Sequence, residues 1–218
     1  MPGLERIWPD HAAVTPEELI GPLESAPDGR PQVTAMMVSS LDGRATLDGT
    51  SRALGGPQDL QMLLALRRRA DALIVGPGTV RAEGYGPLPC PAVLVSRSFE
   101  LPWKAGLFAA PGQRVLVYTH AEDAAPVVAA EVEKVPLVAL PEVLADLRRR
   151  GVERLLCEGG PTVNRALLDE GLLDELFLTL SPVVSGEGPS IIAAGTSNPL
   201  ALRSVATADG DLYLRYSV

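Results

Sequence analysis

The stretch from Arg154 to Leu168 restricts the fold more than any other part of the sequence. Its apolar run ends in a carboxylate, Glu158, then a pair of glycines, and a helical pattern begins directly after them. Because glycine has no Cβ, the backbone at Gly159 and Gly160 can turn sharply and leave room for a ligand against the main chain. Pro161 suits a first helical turn. Free N–H groups at a helix start attract anions, so we expect either a pyrophosphate site or a tightly packed strand-to-helix connection.

The other apolar segments alternate between strand and helix patterns. Strand-like runs are Val33–Leu41, Ala72–Val75, Pro91–Val95, Arg114–Tyr118, Val132–Val135, Arg154–Cys157 and Glu175–Leu180. Helical patterns are Pro16–Ile20, Gly55–Ala70, Gly76–Glu83, Ala121–Ala130, Leu140–Arg150 and the segment after Gly160. At the end of the chain, Leu202–Ala206 and Asp211–Tyr216 flank a turn pair and predict an antiparallel hairpin. We therefore predict an α/β fold: a single three-layer domain with a mostly parallel central sheet and this antiparallel hairpin at one edge.

Length and composition indicate one domain. The 218 residues, 46% of them hydrophobic, are enough to bury a substantial core. Residues 1–32 are rich in proline and are predicted to form an irregular extension packed on the domain, which would span residues 33–218.

Charge and cysteine content exclude several classes of protein. A net charge of −8 argues against binding to nucleic acid or to an anionic membrane. No apolar run approaches the ~20 residues that cross a bilayer, and no secretory signal pattern is present. The two cysteines, Cys90 and Cys157, are too few for a disulfide scaffold. We expect Cys157 to be a buried thiol and the protein to be cytoplasmic.

Small or polar residues follow four of the predicted strands. These strand ends are Ser39-Ser40, Gly76–Thr79, Ser96-Arg97-Ser98 and Glu158–Gly160. Ligands of parallel α/β sheets bind beyond the carboxyl ends of the strands, so these segments are expected to line one crevice. An arginine between two hydroxyls suits the 2′-phosphate of a dinucleotide, although a solvated loop arginine is the plainer interpretation of Arg97.

Other common catalytic motifs fail on spacing. Arg81 stands where the third glycine of the Rossmann fingerprint would be, and no Walker lysine follows a glycine-rich turn. His120-Ala121-Glu122 is not followed by the P-C-x-x-C of zinc deaminases. With only His11 and His120 available, we predict no metal site and no Ser-His-Asp triad. Metal-free chemistry on an organic cofactor remains.

Four ordered motifs resemble a known family. They are Ser39–Gly43; Ala70–Glu83, with its Gly76-x-Gly78-Thr79 core; Glu158–Thr162; and Asp174–Leu176, followed by Ser181–Gly186. Together they resemble the reductase domain of riboflavin biosynthesis, the C-terminal half of the bifunctional deaminase-reductase, which has the dihydrofolate reductase fold. Asp48–Ser51 and Glu83–Tyr85 resemble the stand-alone actinobacterial-type members. The resemblance runs from about Val33 to Val218.

The resemblance implies the reaction. NADPH would be the hydride donor and 5-amino-6-(5-phosphoribosylamino)uracil the phosphorylated pyrimidine substrate, reduced at C1′ of its opened sugar to the ribitylamino product. The cofactor carries the difficult chemistry and the protein supplies orientation and electrostatics. A homodimer is also implied, as is a cis peptide bond between Gly159 and Gly160.

The resemblance and the strand-end pattern together give the candidate site residues. The cofactor-binding candidates are Ser39, Gly76, Gly78, Thr79, Glu83, Ser96, Arg97, Ser98, Gly159, Gly160, Pro161, Thr162, Val163 and Asn164. The substrate-binding candidates are Ser51, Arg67, Leu88 and Glu158. Arg67 would meet the ribose phosphate, and Glu158, also a catalytic candidate, would anchor donors of the pyrimidine ring. Asp42 is the second catalytic candidate, to handle a proton or orient the ring, or else a turn carboxylate that caps local N–H groups.

The substrate side departs from the family pattern. Glu83-Gly84-Tyr85 replaces an acidic pair and proline, the arginine expected shortly after Leu88 is absent, and Ala53 replaces a tryptophan. Two alternatives therefore stay open. One is an NADPH-dependent reductase of dihydrofolate or another pterin-like ring, and the other is a catalytically silent nucleotide-binding module.

Overall fold

The computed structural model describes residues 3–22, 27–136 and 139–218. The strands are β1 Leu4–Trp8, β2 Ala12–Val14, β3 Gln32–Ser39, β4 Ala72–Val75, β5 Ala92–Val95, β6 Arg114–Thr119, β7 Glu131–Pro136, β8 Arg154–Cys157, β9 Glu175–Leu180, β10 Ala201–Ala208 and β11 Asp211–Ser217. The helices are α1 Pro16–Ile20, α2 Pro57–Arg69, α3 Pro77–Glu83, α4 Gly106–Ala109, α5 Leu140–Arg149 and α6 Pro161–Asp169.

Within the described ranges the strands form one sheet, in the order β2-β1-β10-β11-β9-β3-β8-β4-β5-β6-β7. Neighbours from β9 to β7 are parallel, and β11, β10, β1 and β2 add antiparallel pairs at one side. The predicted α/β sheet with an antiparallel terminal hairpin is confirmed. The central strands β4 and β5 are short and wholly apolar, because helices cover both of their faces.

The three layers are the sheet and the helices on its two faces, and an apolar cluster lies between the sheet and the helices on each face. In β4, Leu73 and Val75 pack into the cluster that also holds residues of α1, α2, α3 and α4. The alternate residues, Ala72 and Ile74, pack into the cluster that holds residues of α5 and α6. Side chains of a strand alternate between faces, so one four-residue apolar run supplies both cores.

The N-terminal segment is more ordered than predicted. α1 is confirmed at Pro16–Ile20, where Thr15 and Glu18 form a capping box. The expectation of an irregular segment is wrong for β1 and β2, since β1 pairs with β10 through Glu5 opposite Thr207. That partner lies some 200 residues away, so a local pattern could not reveal it. Residues 1, 2 and 23–26 of this segment lie outside the described residues, and the domain division at residue 33 stays a prediction.

Two further local predictions differ from the structure. No helix forms over Ala121–Ala130, where Pro126 interrupts the pattern and cannot donate a helical hydrogen bond. The short helix α4 was not predicted, because four residues carry too little periodicity to detect. The strand near Val132 is confirmed as β7.

The sheet brings the four predicted strand ends together. β3, β8, β4 and β5 are consecutive neighbours and run in the same direction. Their carboxyl ends therefore meet at one edge, as a parallel sheet requires.

Candidate active site

A cavity of about 1020 Å³ opens at this edge of the sheet. All four strands or the segments that follow them contribute to its wall. The cavity-lining residues that the sequence predicted are Ser51, Gly76, Gly78, Thr79, Glu83, Ser96, Arg97, Ser98, Glu158, Gly160, Pro161, Thr162 and Val163. A pocket of this size suits a dinucleotide together with a small substrate.

The two glycine-containing strand ends pack directly against each other. The N–H of Gly76 donates to the carbonyl of Gly159 at 2.9 Å. Gly159 and Gly160 have φ of 86° and 93°, and a Cβ on Gly160 would lie 3.2 Å from Cα of Gly76. Only glycine fits this close approach with positive φ. The starts of α3 and α6 are thereby held side by side at the cavity.

The predicted cis bond between Gly159 and Gly160 is wrong for this structure. The cis peptide bond among the described residues is Trp8–Pro9, and the Gly159–Gly160 bond is trans. Consecutive positive φ values at the two glycines make the turn instead, a conformation that glycine adopts without steric cost.

Three cofactor candidates lie behind the cavity wall. The side-chain amide of Asn164 donates to the carbonyl of Ile191 at 2.7 Å, and its oxygen accepts from the thiol of Cys157. The Ser39 hydroxyl donates to the carbonyl of Ser40. Gly159 faces Met37, whose sulfur would lie 2.8 Å from an added Cβ. These residues shape the turn and do not line the cavity.

Glu158 anchors a polar cluster at the end of β8. Its two carboxylate oxygens accept from Nε and Nη2 of Arg67, each at 2.6 Å, and Oε2 also accepts from the Tyr85 hydroxyl at 2.5 Å. The Arg67 guanidinium lies 5.6 Å from the centre of the Tyr85 ring. The Glu158 side chain is 4% exposed, so these donors replace the water that a carboxylate requires.

Burial and the carboxylate shift the protonation of both partners. Burial raises the pKa of Tyr85 well above its usual value, and Glu158 raises it further. Burial lowers the pKa of Arg67, but the hydrogen bonds and charge of Glu158 outweigh this, and the net shift is upward. The Tyr85 hydroxyl and the Arg67 guanidinium therefore both keep their protons at neutral pH.

Tyr85 was not proposed as a site residue from the sequence. Gly84 ends α3 in the left-handed conformation, with φ of 61°, and the next residue turns towards Glu158. The available signal was the departure from the family pattern at Glu83-Gly84-Tyr85. A tyrosine in place of proline supplies a donor that proline lacks.

The remaining substrate candidates are distributed around this cluster. Ser51 lines the cavity, and its N–H donates to Oε1 of Glu83 at 2.8 Å, which ties the loop before α2 to α3. Arg67 stands behind Glu158 and is not part of the cavity wall. Leu88 does not line the cavity either; its N–H donates to Oε1 of Gln113 at 2.7 Å.

Asp42 holds two loops together. Its carboxylate accepts from the Ser40 hydroxyl at 2.6 Å and from the N–H groups of Ser185 and Gly186 at 2.9 and 2.8 Å. The Ser40 hydroxyl and then the Ser185 N–H lower the pKa of Asp42 to about 2. Asp42 does not line the cavity. Its contacts match the turn carboxylate that the sequence left as an alternative.

Asp59, in the first turn of α2, lines the cavity and was not predicted. Its Oδ1 is buried and has no hydrogen-bond partner among the described residues. Burial raises the pKa of Asp59 to about 6; the Thr179 hydroxyl opposes this shift and the Asp211 charge adds to it. A perturbed carboxylate in a ligand cavity marks a functional candidate.

Three other sequence expectations concern membrane-spanning helices, metal ligands and Cys157. In the part of the chain that the structure describes, no helix is long and apolar enough to span a membrane. The same residues contain no group of three or more metal-ligating side chains. Cys157 is buried, as predicted, and burial raises the pKa of its thiol to about 12.

Known proteins resemble this chain over nearly its whole length. A 2,5-diamino-6-ribosylamino-4(3H)-pyrimidinone 5′-phosphate reductase from Methanothermobacter thermautotrophicus is 30% identical, over 87% of this chain and 99% of that protein. The chain spans about half the length of RibD from Corynebacterium ammoniagenes, with 28% identity.

Solved structures agree in fold. A pyrimidine reductase-like protein from Corynebacterium diphtheriae superimposes with a TM-score of 0.78 and 27% identity, covering 94% of this chain and 99% of that chain. A dihydrofolate reductase from Enterococcus faecalis, 16% identical with a TM-score of 0.55 over 85% of this chain and 95% of that one, shares the fold.

The profile of the RibD C-terminal domain matches residues 31–214, most of the chain. Because these relatives are reductases and the fold is that of dihydrofolate reductase, the matches indicate a nicotinamide cofactor. From the ordered motifs, the sheet and these matches together, the chain belongs to the RibD C-terminal domain family, the reductases of riboflavin biosynthesis.

Proposed function

We propose that this chain uses NADPH to reduce a phosphorylated ribosylaminopyrimidine to its ribitylamino product. One observation carries the proposal: a single cavity joins the glycine-lined starts of α3 and α6, a serine-flanked arginine, and a buried carboxylate held by Arg67 and Tyr85. The first candidate substrate is the one implied by the sequence, 5-amino-6-(5-phosphoribosylamino)uracil.

The cofactor half of the cavity suits a phosphorylated dinucleotide. The start of α6, Gly160–Val163, lines the cavity, and the N–H groups of Gly160, Thr162 and Val163, with the positive end of the helix dipole, would hold the pyrophosphate. Ser96, Arg97 and Ser98 would hold the 2′-phosphate that distinguishes NADPH from NADH.

The substrate half presents polar groups on a rigid wall. Glu158 would accept from N–H donors of the substrate, and the Arg67 pair fixes its orientation. Arg67 itself lies behind this carboxylate, outside the cavity wall, so it would act on the substrate through Glu158. The Ser51 hydroxyl lies on the same wall. Leu88 would support this wall by packing.

The chemistry requires one hydride and one proton. When bound, the reduced nicotinamide supplies the hydride to C1′ of the opened, imine-like sugar. The nitrogen of that C=N bond takes up a proton as the bond is reduced to an amine. The Tyr85 hydroxyl keeps its proton and donates a hydrogen bond to Glu158. Asp42 is already bound by loop donors. We therefore assign the proton to water.

A second substrate has specific support. The relative from Methanothermobacter thermautotrophicus, matched over 99% of its length, is named for 2,5-diamino-6-ribosylamino-4(3H)-pyrimidinone 5′-phosphate. This compound differs from the uracil in bearing an amino group in place of the carbonyl at ring position 2. We carry it as the alternative substrate of the same site.

The test is to follow NADPH absorbance with purified protein and each pyrimidine 5′-phosphate, with dihydrofolate in parallel. We expect turnover with a pyrimidine and a much lower kcat/KM with dihydrofolate. Preferential reduction of dihydrofolate would move the assignment to pterin-like substrates. Binding of NADPH in a fluorescence titration without any turnover would indicate a silent nucleotide-binding module.

Assembly and location belong to the same proposal. We propose a homodimer in the cytoplasm that binds neither nucleic acid nor membrane. Light scattering coupled to size-exclusion chromatography measures the mass, and a single 23.0 kDa species would contradict the dimer.

A further inference from the structure

Asp59 is a cavity carboxylate for which the proposed reaction has assigned no role. It lines the cavity from the first turn of α2, and its Oδ1 is buried without a hydrogen-bond partner among the described residues. Buried polar atoms in folded proteins nearly always have partners, and an unsatisfied carboxylate oxygen is costly. A bound ligand that donates hydrogen bonds would remove this cost.

The strands beside Asp59 identify which ligand reaches it. Thr179 and Asp211, the groups that act on its protonation, belong to β9 and β11. The proposed dinucleotide residues follow β8, β4 and β5, on the other side of β3. At about 4.8 Å between neighbouring strands, the three steps from β9 to β4 span roughly 14 Å. The substrate, rather than the cofactor phosphates, therefore lies beside Asp59.

The charges near Asp59 indicate which end of the substrate lies beside it. Asp211 is already satisfied, because the Gly56 N–H and the Tyr213 hydroxyl both donate to it. Two neighbouring carboxylates repel a phosphate. The phosphate end of the substrate is therefore directed away from Asp59, and the ring with its N–H donors is directed towards it.

We propose that Asp59 reads the sugar-distal edge of the ring and selects a 2-amino-4-oxopyrimidine, accepting hydrogen bonds from N3–H and the 2-amino group. This inference rests on the proposed function and names its substrate: 2,5-diamino-6-ribosylamino-4(3H)-pyrimidinone 5′-phosphate in preference to the uracil. The amino compound presents two adjacent donors to the Asp59 carboxylate, whose Oδ1 has no other partner among the described residues. At the same edge the uracil presents N3–H beside a carbonyl, whose oxygen is repelled by the negative charge of the carboxylate.

Asp59→Asn is the sharpest variant, because it keeps the shape of the side chain and changes its hydrogen bonding. The amide offers one acceptor and one donor, which complement N3–H and the 2-carbonyl of the uracil. The variant should therefore favour the uracil. A carboxamide that merely filled space would leave the preference unchanged.

The experiment measures kcat and KM for both pyrimidine 5′-phosphates with the wild type, Asp59→Asn and Asp211→Asn. The wild type should prefer the diamino substrate by about 10- to 100-fold in kcat/KM, the range of a bidentate contact. Asp59→Asn should lower or invert that ratio at least about tenfold, mainly through KM. Asp211→Asn removes the neighbouring charge but no cavity contact and should keep the wild-type preference. The Kd for NADPH should be the same in all three proteins.

Preference of the wild type for the uracil would overturn the inference, as would equal losses for both substrates in Asp59→Asn. Calorimetric binding of the two pyrimidines, with no cofactor present, measures the same ratio without catalysis. If neither compound is reduced, the proposed function fails, and the binding ratio still decides whether Asp59 discriminates between the rings. Equal affinities of the wild type for the two rings would reject the inference.

Discussion

The two halves of the cavity differ in how far apart their residues lie along the chain. The cofactor half consists of short local segments, Gly76–Thr79, Ser96–Ser98 and Gly160–Val163, each directly after a strand. The substrate half is assembled from distant positions: Arg67 and Tyr85 reach Glu158 across 91 and 73 residues. The first half offers main-chain amides and the second offers paired buried side chains. Substitutions in the substrate half should therefore act by leaving a buried charge without its partner. Substitutions in the cofactor half should act by changing the backbone geometry.

Arg67→Ala should have the largest effect. It leaves the buried Glu158 carboxylate with Tyr85 as its remaining side-chain donor, and the free energy of unfolding should fall by about 3 kcal/mol. The KM for the pyrimidine phosphate should rise as well. Urea denaturation measures the first effect and steady-state kinetics the second.

Arg68→Ala is the matched control, because Arg68 adjoins Arg67 on α2 but pairs with Glu17 at the surface. Its cost should stay within roughly 0.5 kcal/mol. Combining Arg67→Ala with Glu158→Gln should cost less than the sum of the single changes, since no buried charge is left unpaired. Additive costs would mean that the pair does not stabilise the substrate half.

Asp59→Asn should show a pH-dependent gain in stability of roughly 2–3 kcal/mol. The pKa of Asp59 is raised from 3.8 to about 6 in the folded protein, so the wild type loses stability as pH rises through that window. The variant lacks this loss, and its unfolding free energy relative to the wild type should be higher at pH 7.5 than at pH 4. Urea denaturation at both pH values measures the difference. A difference that does not change with pH would contradict a raised pKa.

Gly160→Ala tests the cofactor half. The added Cβ would meet Cα of Gly76 at 3.2 Å, and φ of 93° strains any other residue, so a cost of about 1–2 kcal/mol is expected in stability and in NADPH affinity. Gly86→Ala is the control, since its Cβ would enter open space without positive φ. Similar NADPH affinities in the two variants would show that the close approach of the two strand ends is not needed.

Arg97→Ala should have the smallest effect, a rise of about tenfold in the Kd for NADPH, because Arg97 is exposed. The Kd for NADH should be unchanged. Arg81→Ala provides the comparison, as Arg81 also lines the cavity. If Arg97→Ala weakens the binding of NADPH and NADH equally, Ser96–Ser98 do not bind the 2′-phosphate. If Arg81→Ala causes a larger loss of affinity that is specific to NADPH, Arg81 binds the 2′-phosphate instead.

The sequence by itself determined the order of strands β3 to β11, the helices α1, α2, α3, α5 and α6 among them, and the local segments of the cofactor half. Apolar runs, glycine turns and helix starts are encoded within a few residues, and the direction of parallel strands brings their ends together. It did not reveal β1, whose partner β10 lies at the other end of the chain, or the trans turn at Gly159–Gly160. The tertiary structure alone decided that Arg67 and Tyr85 meet at Glu158, that Asp42 ties loops together, and that Asp59 lines the cavity with its Oδ1 unpaired among the described residues. These contacts depend on packing between distant elements, which local sequence pattern does not encode.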